Sequence, residues 1–485
     1  MKKKRNLIVT LLGHVNHGKT SLLDIICNTK KVNHEYGGIT QNISVHSVVS
    51  KFINFTILDT PGHESFVDMR KRGVLCTDLI LLVIAADDGV MPQTREIIQF
   101  AKAEKTPIIV VINKVDKNTE NINKITTDLA KLDIISEEWG GDVLFVHTSA
   151  RQNIGIDKLL EAIQLQSELL NLDVANTDDI LGVVIESQVL KGYGNTATVI
   201  LFKGKLDVKT MITIGEENQE KIKLMLDINK TKITTTLPGI PFYLTRLHNL
   251  PKSGDHISNT KESIKSQTIK KKDIGLFKKQ KNSLYDTTVK ELYIIVKADT
   301  YGGAEAVAIA LEKLSTTETK VIVISLGTGN FNESDIKNAV STKSIFIGLN
   351  VNFDINTKKL MGTVNIIVHI STIIYNLLKA ITELIIKKED RIIEIKKKCT
   401  VRVKEVFNVT KILTVFGCTV TFGTLSLGDT LSIYRENEKI AETIVTTLQH
   451  HKNKVDNVKK GMECGIGLEK KIELRENDVF IVYEK

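Results

Sequence analysis

From Leu7 to about Leu170, short apolar runs alternate with stretches of helical period. The runs are Leu7–Leu12, Phe55–Leu58, Leu79–Ala86, Ile108–Ile112 and Leu144–Val146. Apolar except at Thr10 and Thr56, they suit strands covered on both faces. The stretches between them predict helices over Thr20–Thr29, Gln93–Glu104, Ile122–Leu132 and Ile156–Leu169. Buried strands alternating with crossover helices predict a doubly wound, mostly parallel α/β sheet.

After Asn171 the texture changes. Short β-rich runs separated by turn residues extend from Ile180 to about His256 and predict a small β-barrel. Ser258–Asn282 is polar and Lys-rich and reads as an exposed helix or linker. Strand–helix alternation returns over Glu291–Val351: strands Leu292–Val296, Val321–Ile324 and Ile345–Leu349, helices Ala304–Leu314 and Glu333–Val340. This predicts a second, smaller αβα layer domain. Thr372–Lys388 reads as a long connecting helix, and Arg391–Lys485 is β-rich again. The expected domains are therefore a phosphate-binding α/β domain over 1–172, a β-barrel with its basic linker over 173–282, the αβα domain over 283–371, the connecting helix over 372–390 and a C-terminal β-barrel over 391–485. Gly204–Ile214 and Gly423–Ile433 share the pattern Gly-x-Leu-x-apolar-x-x-x-apolar-x-Ile. Either two barrels of one kind or chance likeness of two hairpins explains this.

Composition narrows the setting. With 485 residues, 42% hydrophobic and 25% charged, the chain is an ordinary globular sequence of several domains. A net charge of +9 suits a polyanionic partner such as RNA, while a Lys-, Asn- and Ile-rich coding bias accounts for the same excess. The five cysteines, Cys27, Cys76, Cys399, Cys418 and Cys464, are widely spaced without a CxxC, so neither a disulfide framework nor a zinc ribbon is expected and a reducing cytoplasm fits. The basic start followed by Leu7–Leu12 resembles a signal peptide, but the apolar run stops at Gly13 with no small-residue cleavage site. No apolar run approaches the ~20 residues of a membrane helix, so no membrane partner is expected.

The chemistry lies between the strands. Gly13, His14, Val15, Asn16, His17, Gly18, Lys19 and Thr20 match G-x-x-x-x-G-K-[ST] between a predicted strand and a predicted helix. The glycines let backbone N–H groups turn onto phosphate oxygens, the helix N-terminus adds positive potential, Lys19 reaches the β- and γ-phosphates, and the Thr20 hydroxyl ligates Mg²⁺. Asp59, Thr60, Pro61 and Gly62 follow a strand: Asp59 holds Mg²⁺ through water and the Gly62 N–H meets the γ-phosphate. Asn113, Lys114, Val115 and Asp116 end another strand. A carboxylate accepts the parallel N1–H and 2-amino hydrogens of guanine, which adenine lacks, so Asp116 selects GTP; a buried, unpaired Asp116 penalises ATP. Ser149 and Ala150 fit a supporting guanine loop. Thr40, in Gly37-Gly-Ile-Thr40, is the expected switch threonine that binds Mg²⁺ and γ-phosphate in the GTP state. His63 is the expected catalytic residue alongside Lys19, orienting the attacking water; neutral and protonated forms both remain open. His248, His256 and His369 lack such context and read as structural or solvent-facing.

Gly13-His-Val-x-His-Gly-Lys-Thr20, Gly37-Gly-Ile-Thr-Gln41, Asp59-Thr-Pro-Gly-His63, Ala85-Ala-Asp-Asp-Gly-Val-Met-Pro-Gln-Thr94, Asn113-Lys-Val-Asp116 and Gly461-Met-Glu-Cys-Gly-Ile-Gly467 together resemble the bacterial translation initiation factor 2 family of translational GTPases. The resemblance covers essentially the whole chain and lacks the family's long N-terminal extension. It implies a monomeric cytoplasmic GTPase that uses GTP/GDP, Mg²⁺ and a monovalent cation, K⁺. Such a protein binds formylmethionyl initiator tRNA, joins the small ribosomal subunit alongside other initiation factors, promotes docking of the large subunit and hydrolyses GTP. By position, Cys418, Glu463, Cys464 and Gly465 are tRNA candidates; the cysteines read equally well as buried small hydrophobes. The family's basic and aromatic cluster ahead of the last motif is replaced by Gln449-His450-His451-Lys452. The family usually carries Asp where Asn16 stands. Asn keeps an oxygen ligand but removes a charge, so weaker cation support and slower or less K⁺-dependent hydrolysis are expected.

Two other readings share these loops. One is a tRNA-delivering GTPase of the elongation type, which lacks Gly461–Gly467 and the αβα-plus-helix segment. The other is a nucleotide-gated RNA-binding scaffold with little hydrolysis, which intact Lys19, Thr20, Asp59 and His63 argue against.

Overall fold

A computed structural model describes every residue except 1–2, 30–34, 118–120, 171, 175–177, 217, 260–289, 409–413, 436–437, 452, 470–471, 473 and 484–485. The expected linker Ser258–Asn282 therefore lies outside the described residues from position 260 onward, as do Lys452 and residue 283, the expected start of the αβα domain. The chain divides into two compact units, Met1–Ile381 and Thr382–Lys485.

In the first unit, six strands form a sheet in the order Ser44–Val49, Asn54–Asp59, Leu7–Gly13, Leu79–Ala85, Ile108–Asn113, Leu144–His147. All neighbours are parallel except the first pair. Strand side chains alternate between faces. Leu7, Val9, Leu11, Leu81 and Val83 accordingly join one core with residues of the helices Lys19–Cys27 and Ile156–Leu169. Leu12, Ile80, Leu82 and Ile84 join a second core against Pro92–Glu104 and Ile122–Ala130. Burial on both faces is why the inner strands read as near-continuous apolar runs.

An eight-stranded antiparallel sheet follows, with Leu181–Leu190 and Gly194–Lys203 at its centre. Its ends are drawn together where Lys209 N–H donates to Ile222 O (2.9 Å), Ile222 N–H to Thr210 O (3.0 Å) and Val208 N–H to Thr234 O (2.9 Å). The next layer is a parallel four-stranded sheet in the order Thr319–Thr328, Lys290–Ala298, Ile345–Leu349, Val368–Ser371, with the helices Tyr301–Glu312, Glu333–Thr342 and Ile355–Met361.

Polar contacts fasten these layers to the first sheet's domain and to each other. Arg72 pairs with Glu305 at 2.9 Å. Glu186, fully enclosed, accepts from the N–H of Gly302 at 2.9 Å and the Ser253 hydroxyl at 2.9 Å. Asn42 donates to Asp299 at 3.2 Å and accepts from the Thr300 hydroxyl at 3.0 Å.

The connecting helix is longer than expected, running Ile374–Lys396 for 23 residues and passing directly into the strand Lys397–Asn408. The β-rich region thus begins at Lys397 rather than Arg391. Nothing between those positions breaks a helix, and Ile-rich spacing carries it on. In the second unit, Lys397–Asn408, Val479–Tyr483, Thr430–Arg435, Glu438–His450, Glu463–Leu468 and Thr414–Ser426 pair in that order, and the last pairs back to the first, closing a barrel.

The two repeated segments are corners rather than the hairpins expected: Leu206–Asp207 pairs with Thr235–Thr236 and Met211–Ile214 with Asn218–Lys221, while Thr414–Ser426 pairs with Asn457–Lys459 and Thr430–Arg435 with Glu438–His450. Their backbones match at the glycines. Gly204 and Gly423 have φ 76° and 74°, and Lys209 and Gly428, five residues on in each, have φ 76° and 84°. A Cβ on Gly204 would stand 2.5 Å from Asp179 O, and one on Gly423 1.9 Å from Lys398 O, the corresponding position. Both corners thus turn on a left-handed glycine pressed against a carbonyl, with a second left-handed residue five positions on.

Candidate functional site

Gly13, Asp59, Asn113 and Ser149 all lie at or just beyond the carboxyl ends of parallel strands, the crevice where open α/β sheets hold ligands. The phosphate loop is set by close packing. A Cβ on Gly13 would stand 2.3 Å from Val83 O; one on Gly18, whose φ is 85°, would stand 2.4 Å from Asn113 Nδ2. Asn16 takes φ 63°, a left-handed conformation that Asn adopts more readily than most side chains. Lys19 Nζ donates to the carbonyls of Gly13 (3.0 Å) and His14 (2.7 Å). Burial lowers its pKa to about 8, against the pull of Asp59 in the opposite direction.

Val15, Asn16, Gly18, Lys19, Thr20, Ser21, Glu35, Gly38, Ile39, Thr40, Gly62, His63, Lys114 and Tyr375 line a cavity of about 220 Å³. Within it oxygen atoms converge. The Thr20 hydroxyl lies 2.6 Å from that of Thr40 and donates to Asp59 at 3.1 Å, and the Thr40 hydroxyl donates to Glu35 at 3.1 Å. Hydroxyls and carboxylates are the hard donors that Mg²⁺ takes, so Thr20, Thr40 and Asp59, with Glu35 added, fit such an ion. Among the described residues no cluster of three His, Cys, Asp or Glu side chains is found. Gly62 sits so close that a Cβ there would stand 2.6 Å from Lys19 Nζ and 2.8 Å from Val15 N.

His63 opens a short turn over Glu64–Phe66, and its Nδ1 accepts from the Ser65 N–H at 3.2 Å. Burial holds its pKa below the ordinary imidazole value, so the ring is neutral near pH 7; with Nδ1 accepting, the proton is on Nε2. A neutral ring with its proton on Nε2 is able to donate to a water there. Two neighbours of His63 escaped the sequence reading. Arg70, fully buried, donates to the His63 carbonyl and pairs with Glu96. Tyr375, from the connecting helix, meets the imidazole edge to face with centroids 4.7 Å apart.

At the loops expected to recognise the base, Asn113 donates to His17 O at 3.0 Å and its Oδ1 accepts from the Ala150 N–H at 3.2 Å. Asp116 accepts from the Ser149 hydroxyl at 2.5 Å, which lowers its pKa. Asp116 is only partly buried, not enclosed as expected, because it stands on the loop leaving the sheet. His17 is enclosed, its Nδ1 3.1 Å from Val83 O, and burial lowers its pKa to about 3, so it stays neutral. His14 Nδ1 lies 2.8 Å from Gln93 Oε1. Thr60 fastens the loop by donating to Leu11 O at 2.9 Å.

Cys418 and Cys464 face each other across neighbouring strands and are buried with Cys399 in the terminal barrel's core. Burial raises the Cys464 pKa to about 11, so it packs as a neutral thiol. Glu463 is exposed and pairs with Lys404 at 2.6 Å, and its carbonyl accepts from His450 Nδ1 at 2.6 Å. Gln449 pairs with Gly465 in register. The atypical Gln449–His451 segment thus borders Glu463–Gly465.

Comparison with known proteins matches residues 4–168 to the Elongation factor Tu GTP binding domain, 179–260 to Elongation factor G domain 2 and 265–382 to Translation-initiation factor 2. The Translation initiation factor IF-2 of Buchnera aphidicola subsp. Schizaphis graminum (strain Sg) is 40% identical over 98% of this chain and 56% of its own length. That of Buchnera aphidicola subsp. Acyrthosiphon pisum (strain Tuc7) is 39% identical over 98% of this chain and 57% of its own. The chain therefore spans little more than half the length of these relatives. Among solved structures, GDP-bound aIF5B from Aeropyrum pernix aligns over 99% of this chain and 92% of its own at 20% identity, with a TM-score of 0.48.

Proposed function

The chain belongs to the translation initiation factor 2 family of GTPases, and on that premise we propose that it binds GTP and Mg²⁺ in the Gly13–Thr20 crevice, hydrolyses the nucleotide on the ribosome and carries formylmethionyl initiator tRNA on its terminal barrel. The observation that supports this most is the single cavity shared by Lys19, Thr20, Thr40, Gly62 and His63. Phosphoryl transfer to water needs positioning and charge neutralisation more than covalent chemistry. Lys19 and the loop amides hold the phosphates. Thr20, Thr40 and Asp59 hold the metal, which supplies charge neutralisation when bound. His63, neutral, donates from Nε2 to the attacking water. Asn113, Asp116, Ser149 and Ala150 hold guanine.

The five regions expected from sequence supply the working parts: the nucleotide domain, a barrel, the αβα layer, a connecting helix and a tRNA-binding barrel. With both cysteines covered, Glu463, Gly465 and the neighbouring His450–His451 are the accessible groups of the tRNA end. Its setting is the cytoplasm, and its partners are both ribosomal subunits and the other initiation factors. No helix among the described residues is long and apolar enough to cross a membrane.

Phosphate release with purified ribosomes tests the proposal. Wild type should release it in a ribosome-dependent burst that His63→Ala loses. Hydrolysis that ignores either ribosomes or His63 would refute the mechanism. Preference for elongator aminoacyl-tRNA over the initiator would refute the initiation role.

A further inference from the structure

The first turn of the connecting helix is fastened to the segment that carries Thr40. Gln41 Nε2 donates to Thr372 O at 2.8 Å, while Gln41 Oε1 accepts from the Ile374 N–H at 3.1 Å. Ile373 packs so closely that a Cβ on Gly37 would stand 3.0 Å from its Cδ1. Ile374 is fully buried. One residue on, Tyr375 enters the cavity wall beside Thr40, Gly62 and His63, and meets the His63 ring at an interplanar angle of 86°. Phe66 closes the ring from another side, with centroids 6.3 Å apart, and the Ser65 N–H holds Nδ1. His63 is thus restrained by its own turn and by a helix from outside the nucleotide-binding sheet. The restraint from the helix is held in place by the Thr40–Gln41 segment.

We propose that Tyr375 is a positioning residue that latches His63 in a resting orientation, so that hydrolysis stays slow until the start of the connecting helix shifts. This rests on the reading of His63 as the water-orienting group. An edge-to-face pair prefers its perpendicular geometry, so turning the imidazole toward a water costs that contact while Tyr375 stays put. Gln41 supplies the link: its two bonds tie the helix start to the residue after Thr40, and movement of either displaces the other. Tyr375 is 41% exposed, so the contact is made at the margin of the core and can be broken without opening it.

The test is single-turnover GTP hydrolysis by the full chain without ribosomes, at saturating GTP, for Tyr375→Ala, Tyr375→Phe, His63→Ala and Tyr375→Ala/His63→Ala. Tyr375→Ala should raise the rate at saturating GTP about two- to tenfold, the span that one aromatic pair converts to. Tyr375→Phe keeps the ring edge and should restore the slow rate. In the His63→Ala background the rise should vanish. An unchanged or lowered rate in Tyr375→Ala, or an equal rise with and without His63, overturns the latch. Ribosome-stimulated turnover that survives His63→Ala instead overturns the reading of His63, independently of how Tyr375→Ala behaves.

Discussion

Arg70 Nη2 lies 3.2 Å from each carboxylate oxygen of Glu96, and the guanidinium that makes this pair is wholly enclosed. The same guanidinium donates to the His63 carbonyl. A charge taken out of water is tolerated only with its partners in place, so the pair fixes the loop that carries His63 to the helix Pro92–Glu104.

Arg70→Met should therefore destabilise the first unit by about 3 kcal/mol, because it leaves Glu96 unmatched and frees the His63 backbone. Ribosome-stimulated hydrolysis should fall while GTP affinity holds within about threefold, since Arg70 touches the loop and not the phosphates. Glu96→Gln keeps a hydrogen-bond acceptor but leaves the enclosed guanidinium without its counter-charge, and should also lose about 3 kcal/mol. Urea unfolding followed by phosphate-release kinetics measures both.

Lys19 has its pKa lowered to about 8 by burial. A polyphosphate favours the charged amine, so binding draws a proton once the free protein begins to lose it. GTP affinity should be flat below about pH 7.5 and fall above about pH 8, by up to about tenfold per unit. His17, already neutral, adds nothing in that range. Calorimetry near pH 8.5 in two buffers of different ionisation enthalpy should show proton uptake on binding; none would contradict the assignment.

Asp116→Asn replaces an oxygen acceptor by an amide donor. GTP should bind at least ~100-fold more weakly, since guanine's two hydrogens then meet one acceptor and one donor. Xanthosine triphosphate, with an oxygen where guanine has the 2-amino group, should gain. Competition binding with the two nucleotides checks this.

Arg72 stands between two buried carboxyls, Glu186 and Glu305. Burial raises the pKa of each, and Arg72 pulls both back. Without Arg72 they rise further. A carboxyl whose folded pKa exceeds its unfolded one contributes stability below the unfolded value and loses it as pH climbs through the folded value. Arg72→Met should thus be near wild type at about pH 4.5 and destabilised by about 3 kcal/mol or more at about pH 8. Urea midpoints at the two pH values report the difference.

Asn16 lines the cavity with a left-handed backbone. Asn16→Asp adds a carboxylate at no new conformational cost, since Asp also tolerates that region. Ribosome-stimulated hydrolysis should rise, together with its response to K⁺ over Na⁺. Unchanged turnover and cation response would remove Asn16 from the account.

Legibility followed burial. Leu79–Ala85 and Ile108–Asn113 are covered on both faces, and their apolar runs announce them. Ser44–Val49 lies at the sheet edge, half-buried and interrupted by Ser44, His46 and Ser47, so no run marks it. The helix Val67–Leu75 was missed because its enclosed face includes Arg70 and Gly73, which carry no hydrophobic signal. The phosphate and base loops are local in sequence and were readable. Gln41–Ile374, Arg72–Glu305 and His63–Tyr375 join residues hundreds apart, which no spacing rule reaches. The burial of Cys418 and Cys464 was undecided because strand register, not residue type, sets which way a thiol faces.

The matched corners at Gly204 and Gly423 show one backbone solution at two places in the chain. Each sets a left-handed glycine against a carbonyl and follows it with a second left-handed position five residues on. Any side chain at either glycine would meet that carbonyl, so both positions are closed to substitution for the same steric reason.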